Sequence, residues 1–288
     1  AKPKMNVLCI PVDDLNHWVG YTGRNPQAKT PNIDRLAKEG MRFTDAHTTS
    51  AVCTPTRYGI FTGRYNWRSR LKRSVLFKPT DKALMDPERL NLPNFLQKAG
   101  YYTSCIGKWH LGADFERSPK NANPEKSQGD ASWQVDYAKP FKNGPVDVGF
   151  DEAFFILSSL DMAPYVYLRN NQAVSLPTVN KGFPHNEYNE YQRIGAAAAD
   201  FEASDCLADW ASESRDFIKR RVVEKKKKPF FLYLPLTSPH TPITPGAKFK
   251  GKYPQYSWYA DFMAETDWVV GQVLEQLKES GLDDETMV

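Results

Sequence analysis

Three short apolar, β-prone runs separated by helical patterns constrain this chain more than any other feature. They are "MNVLCIPV" (5–12), "YYTSCI" (101–106) and "PFFLYLPL" (229–236). Runs of this length without polar alternation suit strands buried on both faces. Between them, "TPNIDRLAKEGMRF" (30–43) places Thr30 to cap a helix and Pro31 at its first position. "NLPNFLQKAG" (91–100) closes on Gly100, and "CLADWASESRDFIKRRVVEKK" (206–226) leads to the third strand. Strands alternating with helices predict an α/β fold with a largely parallel, doubly wound sheet. The 288 residues, 41% of them hydrophobic, suffice for one large α/β domain or two small ones, and no repeat or low-complexity linker marks a boundary.

In such sheets reactive groups collect beyond the carboxyl ends of the strands. The first run leads into Asp13-Asp14, the second into Gly107-Lys108-Trp109-His110 and the third into Ser238-Pro239-His240. Adjacent carboxylates suit a hard cation such as Ca²⁺ or Mg²⁺, and equally a turn with a helix cap. Lys108, His110 and His240 each suit a structural role when taken singly. Gathered at one sheet edge, they offer the cations and proton donors that a sulfate or phosphate ester needs.

The stretch "AVCTPTRYGIFTGRY" (51–65) reads as a short helix stopping at Thr62-Gly63. With Pro55 in the first turn, Cys53 lies at the helix N-terminus, where N–H groups and the dipole lower a thiol pKa and attract anions. Arg57 adds a permanent charge on nearly the same face, which points to an anionic substrate. A packed core thiol is the competing reading of Cys53. Cys9 and Cys105, inside predicted strands, read as buried packing thiols. His17, His47 and His185 read as structural or loop residues. Residues 113–205, rich in Pro, Asn, Gly and aromatics, read as long loops over the site, the usual place for substrate selection.

A net charge of +4 from 38 basic and 34 acidic residues is too balanced to call for nucleic acid, and Lys225–Lys228 reads as a solvated helix end. No apolar stretch approaches the roughly 20 residues that span a bilayer, so no membrane span is expected, and the first residues lack a signal peptide's apolar core. The four cysteines are far apart and form no C-x-x-C, which speaks against zinc ribbons and disulfide scaffolds. No asparagine sits in an N-x-Ser/Thr sequon, mildly against a eukaryotic secretory route.

Together these stretches resemble the type I, formylglycine-dependent sulfatases of the alkaline phosphatase superfamily. "CTPTR" (53–57) is similar to the family's C-x-P-x-R signature, continued by "IFTGRY" with Phe61 where leucine is commoner. "GYYTSCIGKWHLG" (100–112) resembles a second signature, and "VDDLNHWVGYTG" and "TPNIDRLAKEGMRFTDAH" also fit. "GFDEAFFILSSLDMAPYVY" and "LPLTSPHTPI" are similar to the branch containing arylsulfatase A and N-acetylgalactosamine-6-sulfatase types.

The resemblance implies a mostly parallel central sheet with helices on both faces and a sulfuric-ester hydrolase acting on a sulfated carbohydrate or an aryl sulfate. It implies that a maturation enzyme oxidises Cys53 to Cα-formylglycine, whose hydrate attacks sulfur and later expels sulfate. Asp13, Asp14 and the modified Cys53 would bind Ca²⁺, with Mg²⁺ the alternative ion. Arg57 would offset the hydrate's charge, and Lys108 would bind hydrate and sulfate. His110 would take a proton as the sulfated hydrate collapses, His240 would contact sulfate and protonate the leaving group, and Ser159 would add a polar contact. An exported bacterial protein, periplasmic or extracellular, is implied.

The family's further calcium ligands, an Asp-Asn pair after a later strand, have no counterpart here, since the chain stops at "GLDDETMV" as that strand begins. Residues 1–288 are therefore expected to be an N-terminal catalytic domain that ends before those ligands and before a small C-terminal domain. Alone, it is expected to lack turnover and to hold Ca²⁺ poorly. The competing readings are a phosphate or phosphonate ester hydrolase of the same superfamily and a noncatalytic binder of sulfated glycans. A cysteine phosphatase fits less well, because three residues rather than five separate Cys53 from Arg57.

Overall fold

The computed structural model describes residues 4–15, 17–118, 130–183, 192–224 and 228–288. In chain order its strands are β1 (Asn6–Cys9), β2 (Tyr102–Lys108), β3 (Glu152–Ile156), β4 (Leu168–Arg169), β5 (Gln172–Ala173), β6 (Val179–Phe183), β7 (Gln192–Ala197), β8 (Phe230–Tyr233) and β9 (Thr286–Met287). Its α-helices are α1 (Pro31–Glu39), α2 (Cys53–Thr62), α3 (Leu92–Lys98), α4 (Cys206–Val223) and α5 (Trp258–Glu279). Two compact units emerge, one of residues 1–46 with 202–288 and one of residues 47–201.

In the first unit β1 pairs in parallel with both β8 and β9. The predicted strands at 5–12 and 229–236 are longer than β1 and β8 because Pro11 and Pro235 lack an N–H for the ladder. The two segments still run side by side past them. Leu234 N–H donates to the Cys9 carbonyl (2.8 Å), Leu236 N–H to Pro11 (2.9 Å) and Asp13 N–H to Ser238 (2.9 Å).

Helix α1 stops at Gly40 rather than running on to Phe43. Thr30 occupies the cap position without capping, since its hydroxyl donates to Asp34 Oδ1 (2.9 Å). Asp267 of α5 caps α1 instead, accepting from the backbone N–H of Asn32 (3.0 Å) and Ile33 (2.8 Å). Helix α4 ends at Val223, and Lys225–Lys227 of the expected solvated helix end lie outside the described residues. Helix α5 was not among the expected helices. Phe262, Val269, Val270, Val273, Leu274 and Leu277 give it a helical apolar face, but Asp261, Glu265 and Asp267 are buried too and interrupt the stripe.

In the second unit β2 pairs in parallel with β3, in a register running from Ser104 opposite Glu152 to Lys108 opposite Ile156. β4 and β5 extend this array antiparallel, and β6 and β7 form a separate antiparallel pair. The expectation of long loops across 113–205 is corrected here, because the described residues of this region hold five strands. "EAFFI" is buried along nearly its whole length, and the aromatics taken for loop residues fill a core. Phe61, Trp109, Phe150 and Phe155 pack with ring centroids 5.6–6.5 Å apart. At Gly149 (φ 116°) a Cβ would lie 2.4 Å from the Asn94 nitrogen, so only glycine lets α3 approach. The parts of the expected loops at 119–129 and 184–191, His185 included, lie outside the described residues.

Candidate functional site

Helix α2 follows an extended Val52 (φ −133°, ψ 160°), so Cys53 takes its first position, and Gly63 (φ 63°) closes it in the left-handed conformation. Cys53 is half-buried. Lys108 lies at the end of β2 and is fully buried, its Nζ 3.3 Å from Cys53 Sγ and 3.1 Å from Ser159 Oγ. The parallel register makes the last contact, since β3 continues past Ile156 beside Lys108 and delivers Ser159 three residues on. Arg57, one turn along α2 and 3% exposed, donates from Nη1 to the Lys108 carbonyl at 2.6 Å. Two buried cations thus stand by the N-terminus of α2, in a low-dielectric setting that strengthens their pull on an anion.

His110 is fully buried and has φ 55°, a conformation few non-glycine residues adopt. Its Nε2 lies 2.9 Å from the Leu76 carbonyl, while Leu76 N–H reaches Thr54 Oγ1 (3.3 Å). A carbonyl only accepts, so the hydrogen sits on Nε2 and the lone pair of the neutral ring on Nδ1. The 76 segment therefore ties His110 to the start of α2, a link nothing in the sequence foretold.

In the first unit Asp13 is half-buried, and Asp14 is exposed with φ 60°. His240 Nδ1 bonds the Thr241 carbonyl (2.6 Å), which leaves Nε2 toward Asp14 Oδ2 at 3.9 Å. That distance is too long for a hydrogen bond. Two residues that sequence reasoning missed, Tyr259 and Thr266, hold this corner together with Ser238. Tyr259 donates its hydroxyl to the Asp14 (3.3 Å) and Leu15 (3.2 Å) carbonyls, and burial followed by the nearby Asp14 pushes its pKa up to about 12, so it stays a donor. Thr266 Oγ1 bonds Ser238 Oγ at 2.7 Å, and the Ser238 carbonyl holds Asp13. Tyr259 and Thr266 lie on the unforeseen α5, so only its helical period offered a signal. The adjacent carboxylates of Asp13 and Asp14 are an all-oxygen, anionic donor pair, which fits a hard divalent cation rather than a soft one.

The remaining candidates stand apart from this chemistry. Burial pushes the Cys9 thiol up to about 11 and that of Cys105 higher still, as packing thiols require. His17 and His47 are exposed.

A family model described as Sulfatase matches residues 5–288. The chain is 28% identical to an N-acetylgalactosamine-6-O-sulfatase of Bacteroides thetaiotaomicron, over 99% of its own length and 58% of that protein's. It is 27% identical to the human N-acetylgalactosamine-6-sulfatase, over 98% of its length and 48% of the relative's. A solved structure described by the metabolism of multiple glycosaminoglycans by Bacteroides thetaiotaomicron superposes with a TM-score of 0.81 at 28% identity, covering 99% of this chain and 61% of that one. The chain thus spans about half to three fifths of the length of the proteins it matches.

Proposed function

The chain belongs to the sulfatase family, and on that premise we propose that it hydrolyses sulfate esters, with a sulfated carbohydrate as substrate. The observation that carries this reading is the pair of buried cations, Arg57 and Lys108, gathered at the half-buried Cys53. The sugar class is supported by the names of two relatives, both N-acetylgalactosamine sulfatases. Export to the periplasm or beyond belongs to the same reading. Among the described residues no helix is long and apolar enough to cross a membrane.

Cys53 is the residue proposed for oxidation to Cα-formylglycine by a maturation enzyme, and its position fits, with the Lys108 ammonium in reach of the side chain. Once formed, the hydrated aldehyde supplies the oxygen nucleophile that displaces the alcohol from sulfur. Asp13 and Asp14 are the residues proposed to hold Ca²⁺, which would make that nucleophile more acidic and offset charge.

The chain's own side chains supply the rest. Lys108 Nζ, supported by Ser159, binds a sulfate oxygen, and Arg57 keeps the first turn of α2 positive as negative charge develops. His240, with its hydrogen on Nδ1 and Asp14 beside Nε2, gains a proton on Nε2 and delivers it to the departing alcohol oxygen. His110, with Nε2–H committed to Leu76, accepts a proton at Nδ1 as sulfate leaves.

Peptide mass spectrometry of residues 43–57 from the native host tests the assignment. Replacement of CH₂SH by CHO is expected as a mass loss that hydration reverses, together with turnover of an aryl sulfate. An unmodified thiol there, or faster turnover of aryl phosphate than of aryl sulfate, sinks it.

A further inference from the structure

We infer that residues 64–73, which follow α2, form a second binding surface, a basic track with an aromatic platform that holds the polysaccharide chain of an anionic glycan away from the reacting ester. This rests on the sulfated-carbohydrate reading above and extends it to a polymeric substrate. The first observation is charge. Between Asp45 and Asp81 the sequence has no carboxylate, while Arg57, Arg64, Arg68, Arg70, Lys72, Arg73 and Lys78 give seven cations. Arg68, Lys72 and Arg73 are exposed, and among the described residues no carboxylate lies within 4 Å of any of the three. A stretch with this bias carries a local positive potential that attracts a polyanion.

The second observation is aromatic. Tyr65 and Trp67 stack with ring centroids 4.0 Å apart and planes 11° from parallel, yet remain 47% and 51% exposed. Two large rings left half in water beside guanidinium groups offer a flat apolar face to the C–H face of a sugar ring, with cations alongside for its charged substituents.

The third observation is that the surface is preformed. Asn66 Nδ2 donates to the Leu71 carbonyl (2.8 Å), Ser69 Oγ to Asn66 (2.6 Å) and Lys72 Nζ to Trp67 (2.7 Å), while Arg70 reaches the Lys82 carbonyl. The loop closes on itself, so little entropy is lost on binding.

Its course fixes what it serves. The chain leaves α2 at Gly63 and is back at the start of α2 by Leu76, whose N–H bonds Thr54 Oγ1 (3.3 Å). Ten helical residues span about 15 Å. The track therefore runs from that distance back toward Cys53, room for several sugar units beyond the one that carries the ester. Single-stranded nucleic acid uses cations and aromatics as well. Here the two rings stack on each other at 4.0 Å, which leaves no gap for a base between them.

The test measures binding of chondroitin sulfate, desulfated chondroitin and an oligothymidylate to the unsubstituted protein, Trp67→Ala and the double variant Arg68→Gln/Arg73→Gln. Chondroitin sulfate is expected to bind tightest. Each variant is expected to lose about tenfold, and the double variant to show a shallower dependence on salt. A second readout needs no variant, since bound chondroitin sulfate should shield Arg68 and Arg73 from an arginine-directed reagent. Unchanged variant affinities, unchanged labelling, equal binding of the desulfated polymer or a preference for the oligothymidylate each overturn the inference. Peptide mass spectrometry of residues 43–57 is run in parallel. An unmodified Cys53 thiol with binding intact counts against the hydrolase reading and leaves this surface standing.

Discussion

Lys108 is the residue on which most of the second unit's chemistry converges. Its Nζ meets Cys53 and Ser159, and its carbonyl accepts from Arg57. Replacing Lys108 by Ala is expected to lower kcat for a sulfate ester by about 10²- to 10³-fold, the usual cost of losing a buried group aimed at developing charge. Arg57→Ala is expected to act similarly on turnover and to lose about 2 kcal/mol in urea unfolding as well, because a charge-assisted bond to a buried carbonyl disappears. Ser159→Ala, removing one neutral partner, should cost far less in both measurements. Thiol chemistry gives a separate check. Burial holds the Cys9 pKa near 11 against an ordinary 9.0, so its thiolate fraction is about 100-fold below that of a free thiol. Iodoacetamide at neutral pH is therefore expected to label Cys53 in unmatured protein while sparing Cys9 and Cys105, as read by peptide mapping.

At the scale of elements, α5 anchors much of the first unit through buried carboxylates. Asp267 satisfies two N–H groups at the start of α1, where Thr30 was expected to do so. Asp267→Ala should cost about 1–2 kcal/mol in denaturant unfolding, the range for a lost helix cap. Glu265 is buried and accepts from Gly246 N–H at 2.8 Å, and burial raises its pKa from 4.5 to about 7. The folded protein therefore binds this proton more tightly than the unfolded chain. The resulting stability is fully present below about pH 4.5 and is lost as pH rises through about 7, a change on the order of 3 kcal/mol. Unfolding measured from pH 4.5 to 8 should show this decline, and Glu265→Gln should flatten it. A Gln variant that keeps the full slope would exclude Glu265 as its source. The same buried carboxylates explain why α5 escaped notice in the sequence, since hydrogen bonds rather than hydrophobicity stabilise those positions and blur the 3.6-residue stripe.

For the whole molecule, the calcium site proposed at Asp13 and Asp14 predicts a linkage between calcium and folding. Calcium at a hundred times its dissociation constant should raise stability by about 2.7 kcal/mol. Asp13→Asn/Asp14→Asn should remove the shift, and a chelator should reverse it, both read as a melting temperature without any substrate. What the sequence determined by itself was local. The three apolar runs, the stop of α2 at Gly63 and the charged residues that follow each strand are set by side-chain period, glycine and proline within a few residues of one another. What only the tertiary structure decided joins distant positions. Ser159 reaches Lys108 across 51 residues, the Leu76 carbonyl reaches His110 across 34, Asp267 caps α1 across 235 and Tyr259 holds Asp14 across 245. Strand register and helix packing set these contacts once the elements meet. No local propensity encodes them, because each depends on the position of a partner that the chain's own neighbourhood does not contain.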